Sequence, residues 1–150
     1  VSGNTFLTHA SYAVNALLVC RNPRGDDPIV NIASSVVLSG FTIQSGGTIV
    51  DSASGTLTLL VQMGGSYQKT GAGALDDYRQ LGGYMDYQST GTLALGKVLR
   101  GTFDISRGIA TRTVTTLHVH PNARYLVDYD VATVTTEKIL ADELSMGPVP

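Results

Sequence analysis

The chain predicts an all-β domain, an antiparallel sandwich or jelly-roll-like barrel of about seven to eight strands. Three observations point there. Gly and Ser-Gly pairs cut the sequence into segments too short for helices and long enough for strands. Those segments are rich in Val, Ile, Leu and Thr, the residues that suit a pleated, half-buried surface. A Pro-Asn pair also separates two long runs near the C-terminal end.

The elements follow in order. Ala13 to Cys20 is a compact apolar run, and Pro28 to Leu38 is β-branched and stops at Ser39-Gly40. Phe41 to Gln44 and Thr48 to Asp51 flank the turn Ser45-Gly46-Gly47. Gly55 to Met63 alternates in part, with Thr56 and Thr58 against Leu57 and Leu59. Thr92 to Ile105 carries Leu93, Leu95, Phe103 and Ile105, with Gly96 and Gly101 as bend or bulge positions. Ile109 to His120 and Ala123 to Thr135 are expected to form a hairpin, 109–135, about Pro121-Asn122, since Pro presets the first turn position and Asn tolerates the second. That register sets Val114 opposite Tyr129, Thr116 opposite Val127 and His118 opposite Tyr125. Glu137 to Leu144 has Thr136 to cap it and Gly147 to end it, which predicts a short helix over 137–144 and a tail over 145–150. Residues 64–91, with paired glycines and four tyrosines, are expected to be a loop or contact arm of a single domain, 1–150. No internal repeat is evident at this level.

Charge carries the functional expectation. Asp, Glu, Lys and Arg make up 15% of the chain, against about 25% in ordinary soluble domains. From Pro28 to Gln68 the single charged residue is Asp51. Mixed surface charge normally keeps monomers apart, so a chain without it is expected to be covered by other chains. The expected function is a non-enzymatic, self-assembling structural subunit whose partners are copies of itself or other coat or surface proteins. Virion coat, decoration and fibre subunits and secreted filament subunits share this composition, which favours a virion or an extracellular assembly. The net charge of −2 and the singly scattered Lys and Arg argue against nucleic acid. No apolar run reaches the ~20 residues of a membrane-spanning helix, and the N-terminal residues lack a basic-then-apolar signal, so no membrane insertion is expected. Cys20, the lone cysteine, excludes an internal disulfide and reads as a buried small hydrophobe.

Local sites complete the reading. Tyr67, Tyr78, Tyr84 and Tyr87, with Asp86 beside them, form a ligand or partner contact, because Tyr offers large amphipathic area at small entropic cost. A carbohydrate or small-ligand module built on them is the alternative function. His118 and His120, two apart, would reach one side of a strand and are the candidate metal ligands. The string His118-Val119-His120-Pro121-Asn122-Ala123 resembles the H-x-H-P-x-A segment of the germin-like cupins. That resemblance implies a metal site, yet Tyr125 stands where the family places its glutamate and no second motif follows. No cofactor is therefore expected. Asp26-Asp27, Asp76-Asp77 and Asp128/Asp130 are the close acidic pairs, and none sits in a pattern that general acid–base chemistry needs. The weakest reading is a small barrel enzyme with His118, Tyr125 or Arg112 inside the barrel. No catalytic residue is assigned.

Overall fold

Neighbouring strands in this protein all run the same way. The computed structural model describes residues 4–7, 13–21, 27–108, 110–130 and 132–139. Its strands are β1 (Asn4–Leu7), β2 (Ala13–Val19), β3 (Ile29–Ile32), β4 (Val37–Gln44), β5 (Thr48–Asp51), β6 (Leu57–Gln62) and β7 (Ser66–Lys69). They continue with β8 (Leu75–Gln80), β9 (Tyr84–Tyr87), β10 (Thr92–Val98), β11 (Gly101–Ile105), β12 (Arg112–Val119), β13 (Ala123–Val127) and β14 (Ala132–Ile139). Odd-numbered strands stack in chain order into one seven-stranded sheet, sheet A, and even-numbered strands into another, sheet B. The chain passes from one sheet to the other at every corner, winding a parallel β-solenoid of about six turns.

This overturns the antiparallel sandwich and the jelly roll, and with them the analogy to coat proteins of those folds. Short apolar segments separated by tight turns fit both architectures; what differs is where each turn sends the chain. His120, Pro121 and Asn122 do not fold β13 back on β12. They form a corner, after which β13 joins sheet A beside β11 while β12 lies in sheet B between β10 and β14. His118 therefore lies opposite Lys97 and Lys138, and Tyr125 lies opposite Phe103. The expected helix is overturned at its start, because residues 137–139 finish β14. Residues 140–144 and the tail 145–150 fall outside the described residues. The expected arm 64–91 is regular solenoid made of β7, β8, β9 and their corners. There is no helix among the described residues.

An internal repeat does exist. In sheet A, Thr48, Ser66, Tyr84 and Thr102 are register partners at steps of 18 residues. In sheet B, Leu57, Leu75 and Leu93 keep the same step. Glycines mark the corners into sheet A. Gly65 and Gly83 have φ of 81° and 83°, and a Cβ on either would run into the carbonyl oxygen of the equivalent glycine one turn earlier. Only Gly lets successive corners stack at the strand spacing.

The two sheets close over a thin core. Val30, Ile49, Tyr67, Met85 and Phe103 point inwards from sheet A towards Leu38, Leu57, Leu60, Leu75, Tyr78 and Leu93 of sheet B. The Phe103 ring centroid lies 5.6 Å from that of Tyr78, 6.3 Å from Tyr87 and 6.2 Å from Tyr125. At one end of this core Gln44, Gln62 and Gln80 form an internal ladder, paired turn to turn. Each amide donates to a carbonyl of its own corner and to one in the next turn: Gln80 Nε2 reaches Gly83 O at 3.0 Å and Thr102 O at 2.9 Å. Gln62 also accepts from the Tyr78 hydroxyl at 2.6 Å. The ladder gives the corner carbonyls of Gly47, Gly65 and Gly83 a second donor, beside the backbone amides of Ser66, Tyr84 and Thr102 in the next turn.

A charged pair also lies inside. Asp51 and Lys69 are register partners on β5 and β7, with Nζ 3.0 Å from Oδ2 and both side chains almost fully buried. Tyr67 donates to the same oxygen at 2.7 Å, and the Ala53 amide donates to Oδ1 at 2.8 Å. The sole charge of the stretch from Pro28 to Gln68 is thus internal, so the outer surface of that stretch carries none.

Candidate functional site

Alternation along each strand decides which side chains face out. In β7 and β9 it turns Tyr67 and Tyr87 inwards, and in β8 it turns Tyr78 inwards; all three are fully buried. Burial pushes the hydroxyl pKa of each well up, helped at Tyr67 by the Asp51 carboxylate. Three of the four expected contact tyrosines therefore build the core. Tyr84 alone lies on the outer face of sheet A, where the structure brings it together with Asp86.

Tyr84, Asp86 and Asp104 form a compact cluster there. Asp86 and Asp104 are register partners on β9 and β11, and both are nearly inaccessible although they face outwards. The Tyr84 hydroxyl donates to Asp104 Oδ2 at 2.7 Å, and Arg107 Nε approaches the same oxygen at 3.1 Å. Ser106 donates to Oδ1 through its amide at 2.9 Å and its hydroxyl at 2.7 Å. The Arg107 guanidinium lies 5.7 Å from the Tyr84 ring centroid, covering the pair. Gln88 and Gln68 donate to Asp86 Oδ2 at 2.8 and 3.5 Å. Burial opposes ionisation of Asp104, but the Ser106 and Tyr84 hydroxyls, the Ser106 amide and Arg107 outweigh it and hold its pKa below the usual value. Burial and the bond to Asp104 push Tyr84 up to about 12. Arg107 and Ser106 were not singled out in the sequence. They arrive because the corner after β11 folds back over its own strand.

This cluster sets an expected pH response. The Asp104 carboxylate has a lower pKa folded than unfolded, so its contribution is complete above the ordinary Asp pKa of about 3.9 and fades as pH falls through the lowered folded value. Unfolding midpoints measured between about pH 6 and pH 2 should fall steeply in the wild type, and Asp104→Asn should flatten that acid limb.

The remaining candidates do not converge. His118 faces outwards between the buried Leu117 and Val119, while His120 sits at the corner, its Nδ1 accepting from the Asn122 amide at 3.3 Å. Arg112 and Tyr125 face the core, so these two and His118 share no cavity. No group of three metal-ligating side chains occurs among the described residues. Of the acidic pairs, Asp27 meets Arg21 at 3.4 Å, Asp77 meets Arg79 at 2.7 Å, and Asp128 accepts from the Asp130 amide at a corner. Asp26 lies outside the described residues. Cys20 is exposed, contrary to expectation, because it stands just past the end of β2.

The outer face of sheet B holds the most extensive unpartnered feature. Two register columns cross β2, β4 and β6: Ala16, Phe41 and Leu59 in one, Leu18, Ile43 and Val61 in the other. Leu18 is 56% and Phe41 45% exposed. On β8 the same two columns change to Asp77 and Arg79, whose ion pair marks the border of the apolar area. The charge-poor stretch signalled this surface; the register that assembles these six residues was hidden by the missed 18-residue step. Compared with family models, curated proteins and solved structures, the chain matches none of them.

Proposed function

We propose that this protein is a self-associating structural subunit whose β-solenoid pairs with a second copy through the outer face of sheet B on β2, β4 and β6. The observation that carries the reading is the six-residue apolar array there, set in a surface without a single charge between Pro28 and Gln68. An exposed, contiguous apolar patch is costly in water and is found mostly at contact surfaces. Val37, 39% exposed on the same strand, extends it. A second copy is the fitting occupant, because an uncharged flat patch offers no electrostatic code for a different partner and matches itself across a twofold axis. The Asp77–Arg79 pair would then rim the contact.

Sedimentation velocity tests this. The wild type should run as a dimer or larger species at micromolar concentration, and Phe41→Glu should shift it to monomer without changing its circular dichroism. A wild-type protein that stays monomeric at its solubility limit would overturn the proposal.

A further inference from the structure

Lys69 and Arg112 are the buried cations among the described residues. Lys69 has the Asp51 carboxylate at 3.0 Å. Arg112, the first residue of β12, has no such partner. Its Nη1 donates to the Ile105 carbonyl at 2.6 Å, while Nε and Nη2 are buried without a hydrogen bond. Asp86 and Asp104 cannot serve it, because they face outwards on sheet A, held there by Gln88, Tyr84, Ser106 and Arg107. Arg112 also stands where the coil departs from its repeat. Thr102 pairs with Arg124 and Thr92 with Thr113, steps of 22 and 21 residues in place of 18. In the longer corner 106–111, Gly108 is exposed with φ of 88°, and a Cβ on it would stand 2.9 Å from Nη2. Gly108 thus lies over the free edge of the guanidinium with its other side in solvent.

Arginine keeps its charge when buried, and a buried charge without a counter-ion is strongly unfavourable. The two free donors define what relieves it. Nε and Nη2 share one edge of the guanidinium plane, where two parallel N–H groups match both oxygens of a carboxylate. We infer that Arg112 binds the carboxylate of a short monocarboxylic acid, which enters by displacing the backbone at Gly108. One carboxylate satisfies both donors and balances the single charge. Ile105, whose carbonyl holds Nη1, and Val114, the next inward residue of β12, are buried apolar side chains, which suits a short alkyl tail. Phosphate fits less well. Its second charge and remaining oxygens would meet no further cation, since Arg107 is committed to Asp104. Chloride, a single centre, lacks the paired geometry of the fork.

The test follows thermal unfolding in sodium acetate, sodium chloride or sodium phosphate at equal pH and ionic strength. Acetate at about ten times its Kd should raise the wild-type midpoint by about 3 °C or more over chloride. Arg112→Met removes the charge at similar volume, so it should reach at least the wild-type midpoint in chloride and show no acetate shift. Arg112→Lys keeps the charge without the fork and should lose most of the shift. In 15N spectra of the wild type, the Arg112 Nε–H resonance, identified by its loss in Arg112→Lys, should move as acetate is added. That reading holds even if Arg112→Met fails to fold. An unmoved Nε–H resonance, equal midpoints in acetate and chloride, an acetate shift that survives in Arg112→Met, or a larger shift in phosphate would each overturn the inference.

Discussion

Lys69→Met is expected to lower the unfolding free energy by about 3–5 kcal/mol, because it strands a buried carboxylate without its counter-ion. Asp51 would keep the Tyr67 hydroxyl and the Ala53 amide, two neutral donors, in place of an ammonium at 3.0 Å. The double variant Asp51→Leu/Lys69→Met should recover most of that loss. Removing both charges abolishes the desolvation cost along with the attraction, and apolar replacements of such pairs are often neutral or better. Denaturant unfolding of Lys69→Met, Asp51→Leu and the double variant measures the coupling between the residues. If Lys69→Met and the double variant unfold at the same midpoint, the carboxylate left without its counter-ion carries no cost and the argument fails.

Gly83→Ala should cost a similar amount by a different route. The left-handed conformation at φ 83° penalises a side chain by about 1–2 kcal/mol, and the new methyl group meets the Gly65 carbonyl oxygen. That oxygen belongs to a stacked corner and can retreat only if the turn below moves, which adds about 1–3 kcal/mol of overpacking. Thr115→Ala, at an exposed position on β12, is the reference and should stay within about 0.5 kcal/mol of wild type. A Gly83→Ala protein as stable as this reference would show that the corners are not packed turn on turn.

Part of the strand content was legible in the sequence; the strands within residues 64–91, read as a loop, and every strand partner were not. Ala13 to Cys20, Phe41 to Gln44 and Thr48 to Asp51 were expected as strands, and β2, the end of β4, and β5 lie there. Pairing was misread because alternation and turn residues are local signals, and a Gly-rich corner has the same composition as a hairpin turn. The evidence for winding lay at longer range. Gln44, Gln62 and Gln80 recur every 18 residues, as do Gly47, Gly65 and Gly83. Other positions hide that step, since Ile49, Tyr67, Met85 and Phe103 fill one column with four different residues. The tyrosines were assigned to a contact surface for the same reason. Their clustering in sequence reflects closely spaced turns, and pleating sends three of the four into the core. The charge argument fared differently, since it rests on composition and needs no register. It marked residues 28–68, whose outward side chains on β4 and β6 make up most of the apolar face.

The corners out of sheet A differ in length. Residues 88–91 link β9 to β10, whereas residues 106–111 link β11 to β12 and carry Ser106 and Arg107 onto Asp104. Hydrogen bonding between strands dictates the advance per coil, so extra residues at a bend leave the rod's dimensions untouched. Such bends are where a lineage could graft new chemistry onto an unchanging shaft.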